Sequence, residues 1–325
     1  MSTMKAIVLR GFGGPEALKL ETVNRPIPQG NEVLIRVRAF GINRLETFVR
    51  QGSYGAVDFP RILGVEAVGE VTEDPSGTFP VGARVATAMG GIGQSRDGGY
   101  AEYLTVPAQQ VQAIGSGLDW GILGGLPEIM QTAWGALNLG IGIEAGQCLL
   151  VRGGTTAVGL GAIGLAKAAG LTVIATTRNA ERTNLLHRHG ATHVIKDDGQ
   201  IYEQVREIAP GGVDAAIEIV GAATLLDSMK AIKVGGTAAI VGMLGPKTSI
   251  ENFRPLLDLP SRVKLVAYRG GVEEFMATPL DSIARDIEEG RIVFEPGQVF
   301  RMEDTAKAHE SMEANTAEGK IVVTA

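Results

Sequence analysis

Residues 147–164 decide the fold of this chain and read Gln147-Cys148-Leu149-Leu150-Val151-Arg152-Gly153-Gly154-Thr155-Thr156-Ala157-Val158-Gly159-Leu160-Gly161-Ala162-Ile163-Gly164. They predict an apolar strand over 147–152, a turn of small residues and a helix starting near residue 158. Such a turn lets backbone approach phosphate, and the first N–H groups of the helix stabilise an anion. A flexible turn without a ligand is the alternative. Nucleotide binding is favoured, and its predicted residues are Gly153, Thr155, Thr156, Ala157, Val158 and Gly159.

A second glycine pattern lies slightly further on. Residues 159–164 match G-x-G-x-x-G, but the predicted strand has already ended at residue 152, whereas a true fingerprint sits on the strand-to-helix turn itself. These glycines are therefore predicted to lie inside the helix, where small side chains allow close packing on a sheet.

From about residue 120 the pattern alternates between helix and strand. Near-continuous apolar strands in such an alternation indicate a parallel sheet covered on both faces, which the right-handed crossover rule makes a doubly wound, Rossmann-type domain. The predicted helices are 127–140, one from about 158, 180–189, 201–209 and 222–232, and the predicted strands are 147–152, 171–177, 193–195, 213–220 and 237–244.

The N-terminal region differs, because short strands are separated by Gly and Pro clusters. In 32–40, charged residues at 32, 36 and 38 alternate with apolar ones, so one face is wet and one buried. The predicted strands of this β-rich region are 4–9, 17–23, 32–40, 63–73, 81–88 and 99–106, and the C-terminal tail adds strands at 263–268 and 319–324 and helices at 279–289 and 304–314.

The strand after the glycine turn indicates which nicotinamide cofactor binds. It ends in Thr176-Thr177-Arg178 with no acid, whereas NAD sites commonly place Asp or Glu there and NADP sites use a cation and hydroxyls for the 2′-phosphate. NADPH is therefore favoured. Alternatively, Arg178 caps a surface turn and Arg182 is a solvated helix residue. The predicted cofactor set is Thr176, Thr177, Arg178, Arg182, Val220, Gly242 and Met243 together with the turn residues.

The overall composition and charge indicate which classes of binding partner to expect. The net charge of −6 gives no basic footprint for nucleic acid, and no apolar run approaches the roughly 18 residues that span a bilayer. A small-molecule partner is favoured, with neither nucleic acid nor membrane. The single cysteine, Cys148, cannot form an intrachain disulfide, and Met1 to Lys5 lack the apolar stretch of a signal peptide, so we expect a cytoplasmic protein.

Several ordered motifs now identify a family. They are Gly13-Gly14-Pro15-Glu16, Gly41-Ile42-Asn43-Arg44-Leu45-Glu46, Arg50-Gln51-Gly52-Ser53-Tyr54, Leu63-Gly64-Val65-Glu66-Ala67-Val68-Gly69, Gly99-Tyr100-Ala101-Glu102-Tyr103, Gln131-Thr132-Ala133-Trp134 and Gly319-Lys320-Ile321-Val322-Val323. In this order they resemble the zinc-free quinone oxidoreductase branch of the medium-chain dehydrogenase/reductase superfamily, essentially end to end. The resemblance implies an α/β protein with a GroES-like domain over 1–122 and 262–325 and an inserted Rossmann NADPH-binding domain over 123–261.

The resemblance also implies roles for three residues. Asn43 and Tyr54 line the substrate pocket, and Thr132 lies near the nicotinamide. The chain departs from the family at the glycine turn, where Thr156 and Ala157 replace two glycines. Lys196-Asp197 also occupies the region where a Tyr often helps to bind the 2′-phosphate.

No metal site is expected. Asn43 to Glu46 stand where the zinc branch has Cys, and Val65 stands where it has the His of G-H-E. Catalytic zinc normally needs three protein ligands, yet Cys148 begins a buried strand and the four histidines lack metal spacing.

Without zinc as a Lewis acid, a conjugated acceptor is the easier substrate, since it delocalises the developing charge. We therefore expect hydride transfer to quinones or other conjugated carbonyl compounds. Asn43 is a candidate carbonyl donor and Tyr54 a pocket wall and possible proton donor, with water as an equal source and purely structural roles as the alternative for both. Enoyl thioester reduction and a regulatory cofactor-binding role are the competing functions.

A homodimer joined through sheet edges near 237–244 and 263–268 is also expected.

Overall fold

The computed structural model describes residues 2–245 and 247–325. These residues form two compact units. The first unit comprises residues 1–131, 270–288 and 295–325, and the second comprises 132–269 and 289–294. The domain bounds expected from the family resemblance stay a prediction.

The strands are β1 (Thr3–Leu9), β2 (Leu18–Asn24), β3 (Glu32–Ile42), β4 (Arg61–Ile62), β5 (Glu66–Glu73), β6 (Arg84–Ala88), β7 (Tyr103–Pro107), β8 (Val111–Ala113), β9 (Cys148–Arg152), β10 (Thr172–Thr177), β11 (His193–Lys196), β12 (Val213–Glu218), β13 (Ile232–Ile240), β14 (Lys264–Ala267), β15 (Gln298–Arg301) and β16 (Ile321–Thr324). The helices are α1 (Arg44–Arg50), α2 (Trp120–Leu123), α3 (Pro127–Gly135), α4 (Ala157–Ala168), α5 (Thr183–His189), α6 (Tyr202–Ile208), α7 (Leu225–Lys230), α8 (Pro255–Asp258), α9 (Val272–Ala277), α10 (Leu280–Glu288) and α11 (Thr305–Ala314). None of the helices in the described chain is long and apolar enough to cross a membrane.

The second unit is built on a parallel sheet with the strand order β11-β10-β9-β12-β13-β14. Successive residues of a strand point to opposite faces, so Leu149 packs in one apolar cluster and Leu150 in the other. Both faces of the sheet are therefore covered. The order is that of a doubly wound nucleotide-binding fold, and the predicted Rossmann-type sheet is confirmed.

The first unit contains the β-rich N-terminal region and the end of the chain. A large sheet runs in the order β15-β16-β3-β5-β6-β8, with β7 also paired to β3. The C-terminal strand β16 pairs antiparallel with β3, which places Ile321 opposite Ile42. The chain thus returns at its end to a strand formed near its beginning, which brings Lys320 next to the segment that carries Asn43.

The structure refines several predicted elements. The expected helix over 127–140 is α-helical only to Gly135 and continues as a π-helical stretch over Ala136–Ile141. The strand predicted at 237–244 runs instead from Ile232 to Ile240, because its backbone already pairs with β12 from Val213 onward. Helix α1 was not predicted. The glycine pattern at 159–164 lies inside α4, as expected.

Candidate active site

The glycine turn joins β9 directly to α4. Gly153 has a φ of +86°, a conformation that favours glycine. At Gly159, a Cβ atom would lie 2.5 Å from the carbonyl oxygen of Gly153 and 2.7 Å from that of Gly154. The helix therefore starts against the turn, and only glycine at position 159 permits this approach.

Thr156 caps this helix. Its side-chain oxygen accepts a hydrogen bond from the N–H of Gly159 at 3.0 Å and donates to the carbonyl oxygen of Gly153 at 2.8 Å. Thr156 thus performs a capping role at a position where the family commonly has glycine. The N–H groups of Ala157 and Val158, the first two of the helix, have no acceptor four residues earlier within it.

These features fit the pyrophosphate of a dinucleotide. Helix α4 has 12 residues, so its dipole and its first N–H groups favour an anion at this end. The segment that follows β12 also lies close to the glycine turn, because a Cβ atom on Gly153 would lie 3.5 Å from Val220 Cγ2. The structure therefore brings together the predicted residues Gly153, Thr156, Gly159 and Val220. Gly242 and Met243 follow the end of β13, and the Met243 side chain is exposed.

The end of β10 lies beside the same turn. Thr176 Oγ1 accepts a hydrogen bond from Gly153 N at 3.2 Å, and the Thr176 carbonyl accepts one from Gly154 N at 3.1 Å. Thr177 Oγ1 donates to the carbonyl of Asn179 at 3.0 Å. Arg178 is exposed and has no hydrogen-bond or ion-pair partner among residues 2–245 and 247–325, whereas Arg182 is partly buried and has a partner. Arg178 is thus a cation available to a ligand at this edge, and the exposed Lys196, which pairs in register with Thr177, is another.

A buried arginine, Arg152, immediately precedes the glycine turn. Arg152 is fully buried at the end of β9, and its Nε and Nη2 each lie 2.9 Å from an oxygen of Asp197. Its Nη1 donates to Asp227 Oδ2 at 2.6 Å and to Ser228 Oγ at 3.2 Å. Burial would raise the pKa of the Asp197 carboxyl, but the bonds and charge of Arg152 outweigh it and hold that pKa below its usual range. The pair is therefore ionised.

Glu218 extends this polar network at the end of β12. Its fully buried carboxylate accepts hydrogen bonds from Val220 N at 2.8 Å, Gly221 N at 3.0 Å and Ser228 Oγ at 2.5 Å. Burial raises its pKa, although these donors and Arg152 oppose the shift. Asp197, which follows β11, thus binds Arg152 directly, whereas Glu218, which ends β12, is linked to Arg152 through Ser228.

The first unit contains a second buried polar cluster, formed by Asn43, Glu46, Glu66 and Lys320. Glu66 Oε1 accepts from Lys320 Nζ at 2.7 Å and from Asn43 Nδ2 at 2.9 Å, and Glu66 Oε2 accepts from Glu128 N at 2.8 Å. Lys320 Nζ also donates to Asn43 Oδ1. Burial alone would lower the pKa of Lys320, but Glu66 and Glu128 raise it, so the side chain is an ammonium.

Glu46 closes the cluster on the side of α1. It accepts hydrogen bonds from Asn43 N at 2.8 Å, from Val65 N at 3.0 Å and from Asn43 Nδ2 at 3.2 Å. Burial raises the pKa of Glu46 to about 7. Both amide hydrogens of Asn43 are thus directed at carboxylates, and its bond to Glu46 is the longer of the two.

The other two predicted catalytic residues are Tyr54 and Thr132. Tyr54 is 50% exposed and has no hydrogen bond within the described part of the chain. Thr132 lies on α3 and is partly exposed.

Among residues 2–245 and 247–325, no group of three or more His, Cys, Asp or Glu side chains is arranged to hold a metal ion. Burial raises the pKa of the Cys148 thiol to about 11.

Comparison with known proteins identifies the family. A family model described as "Alcohol dehydrogenase GroES-like domain" matches residues 29–116, and one described as "Zinc-binding dehydrogenase" matches residues 157–283. Quinone oxidoreductase from Sus scrofa is 31% identical over 98% of this chain and 97% of its own. The chain belongs to the quinone oxidoreductase branch of the medium-chain dehydrogenase/reductase superfamily.

Two further members of this superfamily are informative. Acryloyl-coenzyme A reductase from Sulfurisphaera tokodaii is 26% identical over 98% of this chain and 99% of its own. A mycobacterial protein solved in complex with NADPH has a TM-score of 0.85 and 27% identity, covering 99% of this chain and 100% of its own. The chain is thus an oxidoreductase with the superfamily's pyridine nucleotide-binding fold and GroES-like domain.

Some residues of the two polar clusters were not predicted as site residues. Arg152, Glu66 and Lys320 are charges inside otherwise apolar strands or beside them, and all three are buried. An ionisable residue in an apolar run indicates a buried partner elsewhere, because an unpaired charge is too costly to bury. That signal was available in the sequence, although it does not say which partner.

Proposed function

We propose that this oxidoreductase is NADPH-dependent and zinc-independent and that it transfers hydride to quinones or other conjugated carbonyl compounds. The observation that carries the proposal is the cluster around Asn43. Asn43 begins the segment Asn43 to Glu46 that stands where the zinc branch has a cysteine, and its amide is bonded to two carboxylates and to the Lys320 ammonium. An ammonium has no lone pair for a metal, so this donor set suits an acceptor that needs no Lewis acid.

The second unit supplies the proposed cofactor site. Gly153 to Gly159 would hold the pyrophosphate, with Gly242 and Met243 nearby, and Arg178 with the Thr176 and Thr177 segment would hold the 2′-phosphate. NADPH supplies a hydride when it is bound. Arg178 supports this choice because its exposed guanidinium has no partner within the described residues. The mycobacterial relative in complex with NADPH supports it as well.

The chain's own residues orient the acceptor and control its proton. For Asn43 to donate to an acceptor carbonyl, its amide must give up the 3.2 Å bond to Glu46 and keep the 2.9 Å bond to Glu66. Thr132 is proposed near the nicotinamide. The proton comes from solvent water or from Tyr54, which is 50% exposed. A Tyr54→Phe variant that keeps its turnover would assign the proton to water.

A panel of acceptors tests the proposal. Oxidation of NADPH is followed with quinones, enones, enoyl thioesters and aldehydes at matched concentrations. Turnover of quinones or simple enones well above that of aldehydes is expected. Preference for saturated aldehydes, or activity that depends on added zinc, would overturn the proposal.

Enoyl thioester reduction is the second candidate. It is favoured by the similarity to acryloyl-coenzyme A reductase, which spans the whole chain. Enoyl thioesters turned over far better than quinones in the same panel would assign this function. A purely regulatory cofactor-binding role had only the unusual Thr156 in its favour, and that residue is accounted for as a helix cap.

The proposal extends to assembly and location. A homodimer would join through β14, the edge strand of the parallel sheet, where Leu265 is 42% exposed. A monomer mass by light scattering at micromolar concentration would contradict it. A cytoplasmic location is proposed on the single cysteine.

A further inference from the structure

The carboxylate of Asp197 lies at the carboxyl end of β10, where we propose that the ribose of the cofactor binds. Its Oδ2 accepts a hydrogen bond from Thr176 Oγ1 at 3.2 Å, and its backbone N–H donates to the Thr177 carbonyl at 2.8 Å. Thr176 in turn binds the N–H of Gly153 in the glycine turn. Asp197 is therefore two hydrogen bonds away from the turn that would hold the pyrophosphate. Because it follows β11 rather than β10, the absence of an acid after β10 does not exclude a carboxylate from this edge.

A free carboxylate at this place would oppose the proposed cofactor. Acidic side chains at such edges accept hydrogen bonds from ribose hydroxyls and so favour NADH, and they repel a 2′-phosphate. Asp197 is not free, because Arg152 binds both of its oxygens at 2.9 Å. The Arg152 side chain is 0% exposed and the Asp197 side chain 8% exposed, so solvent screens the pair only weakly.

Arg152 is itself fixed from the opposite side. Asp227 Oδ2, Ser228 Oγ and the Thr224 carbonyl accept from its Nη1 at 2.6, 3.2 and 3.2 Å. Asp227 also accepts the N–H of Ile201 at 2.8 Å, which ties it to the loop before α6. The guanidinium therefore cannot swing away from Asp197 without breaking several buried bonds.

We propose that Arg152 is a specificity-determining positioning residue. It pairs with the Asp197 carboxylate and occupies both of its oxygens, which leaves the edge formed by Thr176, Thr177 and Arg178 able to accept a 2′-phosphate. Arg152 does not touch the cofactor in this role. The inference rests on the proposed NADPH site and concerns only the preference between NADPH and NADH.

The test is a set of binding titrations without substrate. Dissociation constants for NADPH and NADH are measured by calorimetry on wild type, Arg152→Met, Arg152→Lys and the double variant Arg152→Met with Asp197→Asn. Arg152→Met is expected to lower the preference for NADPH over NADH by roughly ten-fold or more, since Asp197 and Asp227 both lose their cation and Asp197 is the carboxylate bonded to Thr176 at the proposed 2′-phosphate edge. Arg152→Lys retains the charge and is expected to keep the wild-type preference within a factor of about three.

The double variant separates charge from structure. Removing the Asp197 charge in the Arg152→Met background is expected to restore the preference for NADPH, even if overall stability stays low. Asp227→Asn is the matched control, because it removes a carboxylate from the same guanidinium without freeing Asp197. It is expected to lower the unfolding temperature and leave the preference unchanged.

Two results would overturn the inference. One is an equal loss of affinity for NADPH and NADH in Arg152→Met. The other is a lowered preference for NADPH that adding Asp197→Asn does not restore. If Arg152→Met does not fold, Arg152→Gln carries the same comparison because it keeps a side-chain donor without charge. A wild-type preference for NADH would overturn the proposed NADPH site, while the change in preference between variants is still measured separately.

Discussion

Lys320 Nζ lies 2.7 Å from Glu66 Oε1 although the two residues are 254 positions apart, and their side chains are only 1% and 0% exposed. The pair joins β16 to β5 across β3. Since Asn43 is bonded to both partners, the same pair fixes the amide that we propose as a carbonyl donor. The position of a substrate-side group thus depends on the last strand of the chain.

Replacing Lys320 with Met should destabilise the protein by roughly 3–5 kcal/mol, because it leaves the buried Glu66 carboxylate without its cation. Chemical denaturation measures the effect. Lys307→Met is the control, since the pair of Lys307 with Asp304 is exposed and its loss should leave stability unchanged. Similar losses for the two variants would contradict the buried-charge explanation.

Thr156→Val should cost about 1 kcal/mol of unfolding free energy, since it removes the hydroxyl that caps α4 without changing side-chain shape. Thr155→Val is the matched control, because the Thr155 hydroxyl has no hydrogen bond within the described residues. If both variants lose the same stability in denaturant titrations, Thr156 has no special capping role.

Arg178→Ala should weaken NADPH binding by roughly ten- to a hundred-fold and NADH binding much less, because only NADPH offers a 2′-phosphate for a charge-assisted bond. Fluorescence titration with both cofactors gives the ratio. Arg182→Ala should have the smaller effect, since Arg182 already has a partner in the protein. Equal small changes for both cofactors would remove Arg178 from the site.

His309 should make stability depend on pH. It is fully buried beside Tyr100, and burial together with the charge of Arg50 lowers its pKa to about 3. His309 in the unfolded chain therefore takes up a proton near pH 6.5, whereas in the folded chain it stays neutral down to about pH 3. The free energy of unfolding therefore falls as the pH drops below 6.5 toward 3. Relative to His309→Gln, the wild type should lose roughly 3 kcal/mol between pH 7 and pH 4.

The same denaturation series on His193→Gln provides the control for the substitution itself, because His193 is exposed whereas His309 is fully buried. A constant difference between wild type and His309→Gln across this range would show that His309 is protonated in the folded protein.

The parallel sheet was predictable because its strands are apolar on both faces, as the alternation of Leu149 and Leu150 between two core clusters illustrates. The glycine turn was predictable for a similar reason, since Gly153 and Gly159 meet local steric demands. The partners of Arg152 and Lys320 were not, because Asp197, Asp227 and Glu66 reach them through the topology and leave no periodic signal. Helix α1 was missed because its seven residues are too few for a clear period.

Zinc-independent hydride transfer is tested by the oxidation of NADPH by a quinone after exhaustive chelation, with the zinc content determined on the same sample. We expect full activity with less than stoichiometric zinc and a higher kcat/KM with NADPH than with NADH. One tightly bound zinc per chain whose removal abolishes activity, or a clear preference for NADH, would contradict it.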